Sequence, residues 1–177
     1  MKRLLLLVAG SLLALCPVHA AESIHIFLKG KVSGDIKGDL SDNSIEGLAY
    51  QHEIVSPRDP ASGLPTGRRQ HKPFTIVKSL DKSTPLLYKM LATNEAGDVS
   101  FKFYRKDPKT GQTTQYYTVE LKNATISNIR DWKPNTRDLS AERAGDLEEI
   151  SFTYEKITWT YVEGGITFED TWAANNT

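Results

Sequence analysis

The chain has 177 residues, 39% of them hydrophobic and 25% charged, with 22 basic against 22 acidic side chains. That composition suits one soluble globular domain and excludes a low-complexity or disordered chain. The charge balance supplies no global positive field, so a general attraction to nucleic acid or to an anionic membrane is excluded as well.

Lys2 and Arg3 precede an apolar run from Leu4 to Leu15, interrupted by Gly10 and Ser11. Pro17 and Val18-His19-Ala20 follow, the last a short segment of the kind a signal peptidase reads. The pattern predicts a secretory signal peptide over residues 1–20, cleaved between Ala20 and Ala21 and too short to span a membrane. Leu15 is bulky at the place where a lipid-modified cysteine follows a small residue, so Cys16 does not predict a lipoprotein. Residues 21–177 then form a single domain, large enough to bury roughly two-thirds of its unfolded surface. Without the leader that domain has no cysteine, hence no disulfide, thiolate nucleophile or cysteine metal site. Its balance becomes 20 basic against 22 acidic residues.

Ile24 to Leu28 predicts a first strand, and Gly30, Gly34 and Gly38 a turn-rich connection. Asp35 and Asp39 do not follow the alternating oxygen pattern of a calcium loop, so a solvated turn is expected. Ile45 to Ile54 reads as a second strand with Leu48, Tyr50 and His52 on one face. His52 is expected to be a packed or edge histidine, since neither His25 nor His71 lies at metal-pair spacing from it. Ser56 to Gly67 contains Pro57, Pro60 and Pro65, which forbid a central strand and stiffen an extended arm leaving the body.

Phe74 to Val77 is β-branched or aromatic throughout and predicts a partly buried strand. A short helix follows, with Ser83 or Thr84 as cap, Pro85 at its first position, and Leu87, Met90 and Leu91 as its apolar stripe. Val99, Phe101 and Phe103 alternate with polar neighbours as in a half-buried strand. Asp107 to Gly111 is a turn. In Gln115 to Ile129 the apolar parity passes from Tyr117, Val119 and Leu121 to Ala124, Ile126 and Asn128, which predicts a bulge or bend near Lys122-Asn123. Trp132 to Gly145 is polar and loop-like, with Pro134 and Asp138 starting turns and a helical turn at Ala141.

Glu149 to Tyr161 switches parity again, from Ile150, Phe152 and Tyr154 to Ile157, Trp159 and Tyr161. Either a bulge returns the second set to the core, or a partner subunit covers part of the strand. Glu163-Gly164-Gly165 is a hairpin turn, Ile166, Phe168 and Trp172 belong to the last strand, and Ala173 to Thr177 is a polar tail.

No serine–histidine–aspartate order, zinc signature or phosphate-binding glycine loop is present, so neither an enzyme nor a cofactor is expected. Asp146, Glu148 and Glu149 read as solvated charge. Arg68, Arg69 and Lys72 suit a solvated basic loop, ion pairs to a neighbouring subunit or, least well, nucleic acid. Arginine and aromatics are the types enriched in subunit contacts, which makes Arg68, Arg69, Trp159 and Tyr161 the candidate interface residues.

The stretch from Gly67 to Leu91, GRRQHKPFTIVKSLDKSTPLLYKML, resembles the haemolysin-coregulated protein (Hcp) family, the tube subunit of bacterial type VI secretion. Ile24 to Lys29, Gly34 to Gly38, Phe101 to Tyr104 and Ile150 to Trp159 extend the resemblance in the family's order, over essentially all of Ile24 to Trp172. It implies a mainly β fold: a closed or nearly closed β-barrel with one short helix packed on its side and an extended loop. It also implies a non-catalytic subunit that forms homohexameric rings, which stack and carry effectors, with sheath and spike proteins as further partners and secretion to the outside. On that analogy Ser56, Arg58, Asp59, Gly63 and Thr66 lie in the ring-stacking loop. The leader is a departure from the family, whose members are exported directly from the cytoplasm. It leaves open an alternative, an exported periplasmic binding module with the same fold that is not part of a tube.

Overall fold

A computed structural model of the chain describes residues 22–133, 135, 137 and 145–172. The leader with its Ala20–Ala21 junction, the expected turns at Pro134, Asp138 and Ala141, and the tail 173–177 lie outside the described residues.

Among the described residues twelve strands and one α-helix follow in order, with a 3-10 turn at Glu163–Gly165. They are β1 (Ser23–Gly30), β2 (Gly34–Ile36), β3 (Ile45–Gly47), β4 (Ala49–Gln51), β5 (Ile54–Val55), β6 (Gln70–His71) and β7 (Phe74–Ser79). Then come α1 (Thr84–Ala92), β8 (Gly97–Lys106), β9 (Thr113–Trp132), β10 (Leu147–Thr153), β11 (Lys156–Tyr161) and β12 (Ile166–Thr171). The protein is mainly β with one helix, as its alternating segments predict.

The hydrogen-bonded path runs β2-β1-β8-β9-β10-β7-β4, with β3 on β1 and the β11–β12 hairpin on β9. Among the described residues every ladder is antiparallel and the path does not return on itself, so of the closed or nearly closed barrel expected, the closed form is not present as a continuous ladder. Covalent chain brings its ends together instead. Ile45, Glu46 and Gly47 pair with β1, whereas Ala49, Tyr50 and Gln51 pair with β7. Leu48 sits between them and donates its N–H to the Val77 carbonyl at 2.7 Å.

That corner corrects the expectation of one strand from Ile45 to Ile54. Ile45 and Gly47 are buried, but beyond the corner Leu48 and Tyr50 are exposed. A strand that changes sheets turns its side chains out of the core it has been facing.

β9 makes a comparable crossing. Its first half pairs with β8 and β11, its second half with β10. Asn123 lies at the junction with φ 51°, and burial passes from Val119 and Leu121 to Ala124 and Ile126. The predicted switch of faces near Lys122-Asn123 is therefore present. Asn128, expected to continue the second set, is exposed, because the β9–β10 register shifts once more opposite Ser151/Phe152. The corner is pinned by polar bonds, Asn123 Nδ2 to Glu155 Oε2 at 3.0 Å and Asn123 N to Asp98 Oδ1 at 3.2 Å.

The parity switch after Tyr154 has the same cause. β10 ends at Thr153 and β11 begins at Lys156, with Tyr154 and Glu155 between the ladders. Ile150, Phe152, Tyr154 and Ile157 thus all enter one buried cluster. The break itself returns the set to the core, and the switch is not by itself a reason for a partner to cover a second face.

The core joins both parts of the sheet. Phe74 of β7 stacks on Phe101 of β8 with centroids 4.4 Å apart, and Phe101 meets Phe152 edge-on at 6.1 Å. Leu87 and Met90 of α1 are each 1% exposed, and Leu91 is half-buried. Ser83 holds the cap position, but its hydroxyl donates to Asp81 and makes no bond to the free amides of the helix. Glu148 corrects another expectation: it is buried and bonded to Lys78 of β7, not solvated.

Candidate functional site

Among the described residues β5 and β6 pair only with each other, and they form the root of a hairpin that carries residues 56–69 away from the body. Beyond the root Thr66 N donates to the Pro57 carbonyl at 3.0 Å, Arg58 and Pro65 form a bridge, and Asp59 N donates to the Leu64 carbonyl at 2.9 Å. The prolines that bar a central strand are thus accommodated in a narrow two-legged arm.

The arm's tip turns on one carboxylate. Asp59 Oδ1 accepts from Ala61 N at 3.1 Å, Ser62 N at 2.7 Å and Ser62 Oγ at 2.8 Å. These bonds, the Ser62 hydroxyl first, hold the Asp59 carboxyl below the usual carboxylate range. Gly63 takes φ 70°, a conformation glycine adopts without strain, and its carbonyl accepts from Arg58 Nη1 at 3.0 Å. Of the predicted loop residues, Arg58, Asp59, Gly63 and Thr66 therefore frame the arm, and Ser56 is exposed beside its root. The apolar side chain held outward is one the sequence reading did not single out, Leu64, 65% exposed.

The arm is fastened to the body by a polar relay. Arg69 donates to both oxygens of Asp170, and His71 Nε2 lies 3.2 Å from Asp170 Oδ2. His71 Nδ1 is 2.9 Å from the Tyr154 hydroxyl, which is 2.7 Å from His52 Nε2. Trp172 closes the group against the His71 ring at 5.7 Å and the Tyr154 ring at 5.1 Å. Arg69, half-buried, thus finds an acid within its own chain, whereas Arg68 is exposed on the same leg.

The electrostatics follow from burial and pairing. Arg69 and its hydrogen bonds hold the Asp170 carboxyl low, and Asp170 in turn raises Arg69. Burial, then the nearby His71, pushes the His52 imidazole down to about 4. Burial, with Asp170 second, pushes the Tyr154 hydroxyl up. An Asp–His–hydroxyl sequence superficially resembles a nucleophile triad, but this hydroxyl is buried and hard to ionise, the opposite of an activated nucleophile. His52 is a packed histidine, as expected, lying against the Phe74 ring at 5.3 Å and the Trp159 ring at 6.0 Å.

Beside the arm's root the β11–β12 hairpin passes from core to surface. On β11 Ile157 is buried, Trp159 half-buried and Tyr161 exposed. Opposite them on β12 stand Asp170, Phe168 and Ile166. Asp170 is covered by the arm, but Phe168 and Ile166 are 67% and 69% exposed. Trp159 stacks on Phe168 at 5.9 Å, and the Tyr161 hydroxyl accepts from Arg105 Nη2 at 3.1 Å. The structure therefore places Arg69 at the Asp170 end of the hairpin, Trp159 midway along it and Tyr161 near its tip. Phe168 and Ile166 complete an uncovered apolar strip that alternation marks as strand without telling which face is covered.

An open cleft of about 480 Å³ lies elsewhere on the surface. Lys29, Lys37 and Lys122 line it against Asp35, Asp98 and Glu120, so it presents no single charge to a ligand. Among the described residues no three His, Cys, Asp or Glu side chains converge as a metal set.

The family model described as "Type VI secretion system effector, Hcp" matches residues 25–161. A protein of Pseudomonas aeruginosa named major exported protein is 41% identical over 124 residues, covering 70% of this chain and 72% of that protein. The crystal structure of an Hcp protein superposes with a TM-score of 0.81 at 30% identity, covering 88% of this chain and 100% of the other. The Hcp1 protein from the E. coli EAEC 042 pathovar gives 0.74 at 34% identity, covering 86% and 99%. With the family's pattern matched from the first strand through β11, the chain belongs to the Hcp family of type VI secretion proteins.

Proposed function

We propose that the chain is a non-catalytic structural subunit of a type VI secretion tube, exported with it, that forms homohexameric rings able to stack and carry effectors. Sheath and spike proteins are its further partners on this reading. The observation that carries it is the uncovered strip of Tyr161, Ile166 and Phe168 on a hairpin whose outer strand, β12, pairs with β11 and with no other strand among the described residues. Apolar side chains lined along a free strand edge favour association, and a ring closes that association where an open stack of edges would not. Arg68, Trp159 and Tyr161 stand at or beside this contact, and Arg69 holds the arm next to it. The arm projects from the body with Leu64 at its tip and serves contact between rings. With its ends joined through Leu48, the sheet acts as one nearly closed barrel. Multi-angle light scattering on the purified protein tests this reading: a hexamer is expected, and a monomer at high concentration overturns it.

The leader residues favour a second reading, an exported periplasmic module with the same fold. It predicts a mature N-terminus at Ala21 and a monomer or dimer. Mass spectrometry of the exported protein reads the first, and an intact Met1 removes that reading.

A further inference from the structure

The hydrogen bonds between arm and body run in one direction. Asp170 is ionised and accepts only, so His71 Nε2 carries a hydrogen toward it across 3.2 Å. In the neutral ring Nδ1 is then an acceptor, and the Tyr154 hydroxyl donates to it across 2.9 Å. The Tyr154 oxygen in turn accepts from His52 Nε2–H at 2.7 Å. Arg69 ends one leg of the arm, His71 lies in β6 at its root and His52 stands just before β5 where the chain enters that root, while Tyr154 and Asp170 belong to the body.

One added proton leaves the relay satisfied. If His71 is doubly protonated, its Nδ1–H donates to Tyr154, and the hydroxyl turns to donate to the other neutral tautomer of His52. A second proton leaves no solution. Both imidazolium rings then aim N–H groups at the same oxygen, and the hydroxyl hydrogen has no further acceptor among the described residues. Leaving such groups buried and unmatched is costly. Charge acts in the same direction: two added imidazolium charges would lie close to each other, His52 already being disfavoured as a cation by His71.

We propose that the Tyr154 hydroxyl is the pin of an acid-sensitive latch, which holds the arm to the body at neutral pH and releases it when His52 and His71 are both protonated. The charged groups around the relay are these among the described residues. His52 faces His71, Tyr154 faces Asp170, and Asp170 faces Arg69 and His71. Glu53 and Lys72, next on the legs, are exposed. Glu169 of β12 is bridged to Lys156 at 3.0 Å, and Glu155 accepts from Asn123. The low affinity of His52 for a proton, about 4 with burial as the leading cause, is the expected mark of a closed arm. An open arm would return His52 to an ordinary imidazole, so acid favours the open form. That release alters ring stacking rests on the function proposed above; the release itself does not.

Hydrogen-exchange mass spectrometry on the purified protein at about pH 7.5 and about pH 4.5, corrected for intrinsic exchange, reads the latch without reference to rings. Protection of the segment 52–71 is expected to fall roughly tenfold at the lower pH while that of β8 stays unchanged. In the variant H52Q an amide N–H still reaches Tyr154 but no second proton binds, so the acid step disappears. In Y154F the arm loses protection at both pH values. The proposal is overturned if the wild-type arm keeps its protection, if β8 opens with it, or if H52Q shows the same step.

Discussion

Lys78 Nζ lies 2.7 Å from Glu148 Oε2, and the two residues face each other across the β7–β10 ladder. Their side chains are 1% and 0% exposed, and the ammonium also donates to the Ser79 carbonyl at 2.7 Å and to Thr84 Oγ1 at 3.1 Å. Asp81 Oδ1 stands 2.9 Å from the same nitrogen, and Thr84 donates to Glu148 at 2.8 Å. The pair thus joins two strands to the entry of α1. Removing one partner strands the other charge, so Lys78→Met or Glu148→Ala is expected to cost about 3–5 kcal/mol in urea unfolding. The double variant Lys78→Met/Glu148→Leu should lose clearly less than the two singles together; simple additivity would show that the charges act independently.

The positions of this pair were legible in the sequence, although their burial was not. Phe74 and Ile76 set a parity that Lys78 continues, and Ile150 and Phe152 set one that Glu148 precedes. Charge argued for solvent, and the counter-argument, an opposite charge at the facing register, needs the strand pairing. The sheet corner at Asn123 showed itself because apolar parity is a local property of one strand. The relay under the arm did not, since Tyr154 meets its histidines across 102 and 83 positions of chain. Ile166 and Phe168 failed for another reason: period-two alternation separates the faces of a strand but does not say which face the fold covers.

Leu87 anchors α1 to the sheet. Leu87→Ala should cost about 2–5 kcal/mol, the usual range for emptying a buried leucine site. Leu87→Asp should cost still more, because an unpaired charge would enter the core. Thermal unfolding reads both, and an unchanged midpoint for either would mean that the helix is not held by this side chain.

His52 links stability to pH. Folded, its imidazole takes a proton only at about 4, mainly because it is buried, whereas a free imidazole does so near 6.5. Between those values the unfolded chain binds more protons than the folded one, so stability falls as pH drops from about 6.5 toward about 4. For a ring still half open to solvent the effect should be about 1 kcal/mol after screening. A titration of the His52 ring by NMR should give the low midpoint, and H52Q should flatten the corresponding part of the stability profile.

The arm carries its own framework and little of the core. Deleting Asp59 to Gly63 removes the Ser62 turn and the Arg58–Gly63 bond but no buried side chain. The deletion should leave unfolding within about 0.5 kcal/mol of wild type, the ordinary range for surface changes. On the proposed reading it should also leave hexamers that no longer form higher assemblies in sedimentation. A deletion variant that unfolds would show the arm to be part of the fold, and one that stacks normally would remove it from stacking.

Phe168 separates the fold from the assembly. It is 67% exposed, its main apolar contact is the stack on Trp159 at 5.9 Å, and it lies on β12, whose second edge is unpaired among the described residues. Replacing it by lysine gives up about 1 kcal/mol of aromatic contact at most, and the long side chain can reach water from where it stands. In a ring the same lysine would enter the apolar part of each of the repeated contacts and would have to shed its hydration there. Because a closed ring repeats one contact around its axis, a penalty at a single position is multiplied by the number of interfaces. Phe168→Lys should therefore melt close to wild type and yet run as a monomer in light scattering, with Ile166→Lys behaving alike. Hexamers that persist in both variants would place the contact on another surface of the protein.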